Sequence, residues 1–311
     1  MISSHSKKKD HAIGLTSADV LLLVTATLWG VNFSIVKFAL SGIPPLAFNS
    51  IRFAVATVTM LLVAKSLGKE IKVRRRDLPY LIGLGLIGNT AYQILFIFGI
   101  AHTTAENSSL ILATSPALVA LMGSAAGVEK VSSKGWFGIG LSLAGILLII
   151  SGSDRAAQVH LGGPSLKGDL LILAGTICWS CYTLLVRPLT RRYPSTTVTT
   201  VSTAAGTIPL ALIATPTLVT LEWREVPSSA WLALVFSGIF SIALSYFFWN
   251  HGVTKLGSTR TSIYSNLCIP VALFTAWMWL GESLTTTQWW GTVLAIGGVM
   301  LARRFTRSSS S

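Results

Sequence analysis

Apolar runs about 20 residues long recur ten times along the chain. They fall at about 19–40, 45–66, 78–101, 106–126, 134–152, 168–188, 196–215, 229–250, 259–280 and 286–303. A helix of about 21 residues rises roughly 31 Å, the thickness of a bilayer's hydrocarbon core. Each run therefore predicts a membrane-spanning helix. The breaks carry turn chemistry, with Pro44-Pro45 after the first run and Gly162-Gly163-Pro164 in the longest mid-chain loop. Inside the first run Trp29, Asn32 and Val36 follow the three-and-four spacing of one helix face, and Lys37 follows Asn32 about one turn on.

Composition agrees with that pattern: 51% of the 311 residues are hydrophobic and 11% are charged. A soluble domain carries about 25% charge, so the expectation is an all-α polytopic membrane protein. The net charge of +13 would suggest nucleic acid in a soluble chain, but the placement of the basic residues gives another cause. With the N-terminus inside, the inner segments hold Lys7, Lys8, Lys9, Lys65, Lys69, Lys72, Arg74, Arg75 and Arg76. They continue with Lys130, Lys134, Arg187, Arg191, Arg192, Lys255, Arg260, Arg303, Arg304 and Arg307, 19 of the 24 Lys and Arg. The outer segments hold Arg155, Lys167 and Arg224, while Lys37 and Arg52 lie within spans. This bias predicts ten spans with both termini cytoplasmic. The chain then divides into a tail over 1–18, a five-helix unit over 19–152, an external linker over 153–167, a second unit over 168–303 and a tail over 304–311.

The second half echoes the first. Asp19, Trp29 and Lys37 recur 150 residues on as Asp169, Trp179 and Arg187. Tyr92 and Pro116 recur at a spacing of 154 as Tyr246 and Pro270, and Glu129 and Gly138 at 153 as Glu282 and Gly291. Duplication of a five-helix unit puts the copies in the membrane with opposite orientations, because five is odd. Inverted repeats of this kind form a transporter architecture with the substrate site at the repeat interface.

Several local patterns fit one family: Leu28-Trp29-Gly30, Pro44-Pro45…Asn49…Arg52-Phe53, Pro116 and Pro270, Gly281-Glu282-Ser283-Leu284-Thr285, and Gly291…Gly297-Gly298. Over about residues 19–303 the chain resembles the drug/metabolite transporter superfamily, of the ten-span EamA type. That resemblance implies an inverted-repeat fold around a central cavity and the transport class of bacterial amino-acid and metabolite exporters in the inner membrane. One departure is that Ser202 stands where a second arginine would match Arg52.

The candidate substrate-binding groups are Trp29, Asn32, Lys37, Arg52, Asn89, Tyr92, Gln93, Trp179, Tyr246 and Asn250. Arg52 lies about seven residues into the second span, roughly 10 Å deep. A guanidinium there needs compensation, and two readings stand: a substrate carboxylate, or a structural pairing with Glu106 or helix carbonyls. Lys37 either joins that network or snorkels to the outer headgroups. Asn89 and Gln93 share one helix face, as do Tyr246 and Asn250. They line a polar cavity on one reading and hold the bundle together on the other. Glu106 and His102 are the candidates for an ion pair or proton site. Pro116 and Pro270 each remove a backbone donor and free the carbonyl four residues back, which reads either as a packing kink or as irregular backbone that is buried or lines water. Gly123-Ser-Ala-Ala-Gly127 reads as close packing within a monomer or as a homodimer contact.

Other chemistries find little support. No nucleotide-binding loop of the G-x-x-x-x-G-K-[ST] kind is present, and no histidines pair at metal-ligand spacing, so neither cofactor nor metal is expected. Cys178-Trp-Ser-Cys181 and Cys268 lie within apolar runs, as packing residues do. The expected function is secondary transport, export of an amino acid or related carboxylate. Efflux of hydrophobic cations, a membrane-embedded enzyme and a structural subunit are the rivals. The partners expected are a small-molecule substrate and the lipid bilayer, with no nucleic acid.

Overall fold

The computed structural model describes residues 15–66, 68, 70–102, 108, 111–151, 166–280 and 285–307. Helix α1, Ser17–Ala39, starts from a capping box: the Thr16 hydroxyl accepts from the Asp19 N–H, and the Asp19 carboxylate accepts from the Thr16 N–H. Helix α2 spans Pro45–Ser66, with a proline in its first turn, where the missing N–H costs nothing. Helix α3 covers 78–102 as Leu78–Gly85, a π-helical segment Leu86–Ala91, and Tyr92–His102. Helices α4 and α5 are Ser115–Ala125 and Ser133–Ser151.

In the second half, α6 is Leu166–Leu185 followed by the short turn Arg187–Thr190, and α7 is Ser195–Thr220. Helix α8 covers 228–256 and has its own π-helical segment, Ser237–Leu244, between Ser228–Phe236 and Ser245–Leu256. Helix α9 covers 258–280, with a 3₁₀ turn at Tyr264–Leu267 separating Ser258–Ile263 from Cys268–Leu280. Helix α10 is Thr286–Phe305. A two-residue antiparallel ribbon, β1 (Lys130–Val131) with β2 (Thr306–Arg307), ties the loop before α5 to the end of α10.

Among the described residues, six helical stretches are long and apolar enough to cross a membrane: Ser17–Val36, Pro45–Ser66, Leu78–Gly99, Leu166–Thr190, Ser195–Thr220 and Ser228–Leu256. Shorter apolar helices cover Ser115–Ala125 and Ser133–Ile149. The polarity is that of a lipid-embedded bundle. Leu212, Val219 and Leu232 project outward, while Asn49, Arg52, Asn89, Thr199 and Asn250 are buried.

Both prolines follow irregular backbone, the second of the two readings the sequence offered. Turn residues 113–114 end the preceding helical turn, and α4 restarts at Ser115 with Pro116 in its first turn. Pro270 likewise lies in the first turn after the 3₁₀ break. Proline has no N–H to lose in a first turn, so breaking the helix ahead of it costs less than bending through it. The Gly123–Gly127 pair also divides its roles. Gly123 packs toward Leu184 within the chain, whereas Gly127 has φ +67° and ends α4, with the Val128 N–H bonded to the Gly123 carbonyl.

Helix packing follows small residues. Helices α5 and α10 approach so closely that a Cβ on Gly145 would lie 2.3 Å from the Ala295 nitrogen, and one on Gly298 would lie 2.3 Å from the Ser142 nitrogen. Helix α2 packs on α7, the second half of α3 on α6, and the second half of α8 on α1. The largest buried cluster joins α1, α2, α3, α6, α7 and α8 around Trp179, Tyr182, Tyr246 and Trp249. Residues 1–14 and 308–311 of the tails, 152–165 around the linker, 281–284 and Glu106 lie outside the described residues, as does the side chain of Lys37.

Candidate functional site

Arg52 occupies the centre of the α2–α3–α8 junction and is 6% exposed. Its Nε donates to Asn49 Oδ1 at 2.8 Å, one terminal nitrogen to Ser237 Oγ at 3.2 Å, and the other to Gln93 Oε1 at 3.0 Å. The Phe48 and Phe53 rings lie 5.4 and 5.9 Å from the guanidinium carbon. Every acceptor is neutral, and Arg52 makes no ion pair among the described residues. Local structure explains the convergence. Asn49 is one turn before Arg52 on α2, Ser237 opens the π-helical segment of α8, and Gln93 lies just past that of α3. Backbone contact is close as well, since a Cβ on Gly238 would lie 2.8 Å from the Arg52 carbonyl oxygen.

The π-helical segments also disturb the i→i−4 ladder and leave backbone carbonyls for side chains to use. The Trp29 indole N–H donates to the Ser241 carbonyl at 2.8 Å. In the reverse sense, groups of the α3 segment reach α7: Asn89 Nδ2 donates to the Ser202 carbonyl at 3.0 Å and the Thr90 hydroxyl to the Gly206 carbonyl at 2.9 Å.

Beside Arg52 lies a continuous aromatic cluster. Trp179 has ring contacts with Trp29 (5.7 Å), Tyr92 (5.3 Å), Tyr182 (5.3 Å), Tyr246 (5.4 Å) and Trp249 (5.4 Å). Tyr246 also meets Trp29 at 6.3 Å and Phe53 at 6.4 Å, edge to face. At the far side of the cluster Asn250 Nδ2 donates to the Tyr182 hydroxyl and to Thr199 Oγ1, both at 2.8 Å, and Trp249 donates to Thr183 Oγ1 at 3.3 Å.

Charged groups gather at the end of the bundle that holds both termini. Asp19, fully buried, accepts from Arg260, from Arg303 and from the Tyr264 hydroxyl at 2.6–3.0 Å. Glu129, also buried, accepts from Arg187 at 3.0 Å and from the Ser258 and Thr259 N–H groups at 2.6 and 2.8 Å. A carboxylate at the start of a helix satisfies its free N–H groups and meets the positive end of its dipole. Both carboxylates belong to the first half of the chain and most of their partners to the second, so they seal this end.

Of the residues predicted from sequence, Trp29, Arg52, Tyr92, Gln93, Trp179 and Tyr246 come together in one site. Asn250 borders the same cluster on the side of the termini. Asn89 is turned to the α7 backbone, and Asn32 is half-buried with its Oδ1 unpartnered. His102 is exposed at the end of α3. Ser237, Tyr182 and Trp249 are not among the residues the sequence singles out, and Asn49 enters there only through the family pattern. Asn49 had a signal in its three-residue spacing from Arg52, whereas Ser237 is 185 residues away and had none. No group of three or more His, Cys, Asp or Glu suited to a metal occurs among the described residues.

Comparisons with known proteins bear on the family and the fold. The uncharacterized transporter YyaM of Bacillus subtilis is 28% identical over 91% of this chain and 92% of its own. A protein of Streptantibioticus cattleyicolor named "Probable terminal-alkyne amino-acid exporter" is 29% identical over 94% of this chain and 95% of its own. A "Probable amino-acid metabolite efflux pump" of Salmonella typhimurium is 26% identical over 90% and 93%. A crystal structure with 19% identity superposes at a TM-score of 0.79, covering 93% of this chain and 97% of that one, and so shares the fold. The profile of the EamA-like transporter family matches residues 16–151 and again 166–304. Apolar spans, a polar and aromatic interior, and two matches that together cover most of the sequence lead to one assignment: the chain is an integral membrane protein belonging to the EamA-like transporter family of the drug/metabolite transporter superfamily.

Proposed function

We propose that this transporter exports a small carboxylate, such as an amino acid or a related metabolite, by alternating access between two inverted five-helix repeats. The observation that carries the reading is Arg52, a buried guanidinium whose partners are all neutral. A buried charge is retained where something compensates it, and a substrate carboxylate supplies that compensation in two-pronged geometry. Trp29, Tyr92, Trp179 and Tyr246 then contact the apolar part of the substrate. Efflux of hydrophobic cations is disfavoured by the same fixed positive charge. Two relatives are named as amino-acid exporters, which agrees with a carboxylate substrate.

Support for inverted repeats comes from paired contacts. Gly85 abuts the Ser202 carbonyl as Gly238 abuts that of Arg52, and Gly99 abuts Ile172 as Gly252 abuts Leu22. In each case the equivalent residues of the two halves are offset by 153 for the glycines and 150 for the groups they abut. The π-helical segments of α3 and α8 form another such pair. On this reading ten spans run with both termini cytoplasmic, in a bacterial inner membrane, because the basic residues cluster at the end with the termini.

The test is flux in proteoliposomes alongside melting in detergent. Arg52→Lys keeps the charge but loses the planar fork, so it should fold normally and lose most carboxylate flux. Arg52→Gln should lose nearly all of it. Normal flux in a well-folded Arg52→Gln would remove Arg52 from the substrate site.

A further inference from the structure

We infer that the seat around Arg52 is built for a monoanion, a carboxylate whose neighbouring position carries a hydroxyl, oxo or acylated nitrogen rather than a free ammonium. We further infer that Asn49 is its second donor. This rests on the carboxylate reading above and narrows it.

Asn49 is fully buried, and its Oδ1 accepts from Arg52 Nε at 2.8 Å. Because a guanidinium can only donate, this bond fixes which way the carboxamide is turned. The Nδ2 donor is left with no partner. A buried donor without an acceptor is costly, and each such group calls for an explanation. Arg52 itself uses three of its five N–H donors on Asn49, Ser237 and Gln93. Its two remaining N–H donors and the Asn49 Nδ2 are left to bind an anion's oxygens.

Charge bookkeeping points the same way. Among the described carboxylates, Asp19 is held by Arg260 and Arg303, Glu129 by Arg187, Asp77 by Tyr193 and Arg192, and Glu70 by Lys72. Asp169 is partnered, at the start of α6, and Glu222 and Glu225 are exposed. None of them reaches the seat. A bound monoanion therefore neutralises it. A zwitterion brings an ammonium that must be desolvated near a fixed like charge, with no carboxylate among the described residues to receive it. The aromatic faces offer little relief, because Trp179 is already ringed by five other rings at 5.3–5.7 Å, and Phe48 and Phe53 already face the guanidinium.

The experiment is competitive binding and flux with the full chain in proteoliposomes, using two matched series. One is phenylalanine, phenyllactate, N-acetylphenylalanine and phenethylamine, and the other leucine, 2-hydroxyisocaproate and isoamylamine. The hydroxy and acylated acids should compete at least tenfold more strongly than the amino acids, and the amines should not compete. Asn49→Leu should weaken all carboxylates about tenfold and lower the melting temperature, because Arg52 Nε loses its acceptor. Asn49→Asp, which places a carboxylate against Arg52, should abolish anion competition. Amino acids competing as well as their hydroxy analogues would overturn the monoanion inference and leave the carboxylate reading standing. Unchanged affinity in both Asn49 variants would remove Asn49. Competition by the amines alone, or by no member, would overturn the carboxylate reading itself.

Discussion

At the residue scale, the Trp29 indole does two things: its ring joins the aromatic cluster and its N–H satisfies the Ser241 carbonyl of the π-helical segment. Trp29→Phe keeps an aromatic ring and leaves that carbonyl without its donor. Equilibrium unfolding should show a loss of about 1 kcal/mol, the usual worth of a part-buried hydrogen bond. Ser241→Ala should show almost none, because the acceptor is backbone. Asp19→Asn removes the charge that faces Arg260 and Arg303. The expected loss is about 3 kcal/mol, the lower end for a broken buried pair, since both guanidinium groups are partly exposed. A loss within experimental error would mean that this end is not sealed by Asp19. The sequence made Trp29 and Arg52 conspicuous, because polar and aromatic groups within a span are expensive. It did not show what they touch. Arg260 and Arg303 were legible as positive charge on one side, but their shared partner lies 241 and 284 residues away, and no local spacing encodes that.

At the element scale, side-chain contact separates glycines that look alike in sequence. Gly297 and Gly298 are adjacent on α10. A Cβ on Gly297 would meet nothing within 4 Å, while one on Gly298 would lie 2.3 Å from the Ser142 nitrogen. Gly297→Val should therefore be tolerated, whereas Gly298→Val must push α10 off α5. The second change should cost about 3 kcal/mol or more, near the upper end for an overpacked core, with a matching fall in melting temperature. Equal behaviour of the two variants would deny that α5 and α10 are held by close backbone approach. The helices themselves were readable from apolar periodicity, since length and hydropathy fix a span. Their irregularities were not. Gly88, Asn89 and Thr90 in Leu86–Ala91, and Ser237, Gly238 and Ser241 in Ser237–Leu244, mark these segments as unusual for an apolar span, but small and polar residues do not by themselves encode a π register. Pro116 and Pro270 left kinks and irregular backbone open, and the structure places both prolines beside irregular backbone.

At the scale of the whole molecule, the alternating access proposed above requires the end with the termini to part, and the contacts there are of two kinds. Helices α5 and α10 meet through glycine and alanine with little else between them, and the β1–β2 ribbon extends that pairing. Such a dry, interlocked seam has no second arrangement of similar energy. The α6–α9 seam is different. It depends on Glu129 bridging Arg187 to the start of α9, and on the Ser258 hydroxyl donating to the Thr183 carbonyl at 2.8 Å. Water can replace these polar contacts when the seam opens. The first seam should then act as scaffold and the second as gate. Lys130 and Arg307 are direct partners in the ribbon, so Lys130→Cys with Arg307→Cys should form a disulfide and leave proteoliposome flux near the reduced value. Linking Thr183→Cys to Ser258→Cys, by oxidation or a short bifunctional thiol reagent, should arrest flux, and cleaving the link should restore it. Continued flux through the second link, or arrest by the first, would assign the moving seam to α5–α10 and reverse the roles of scaffold and gate.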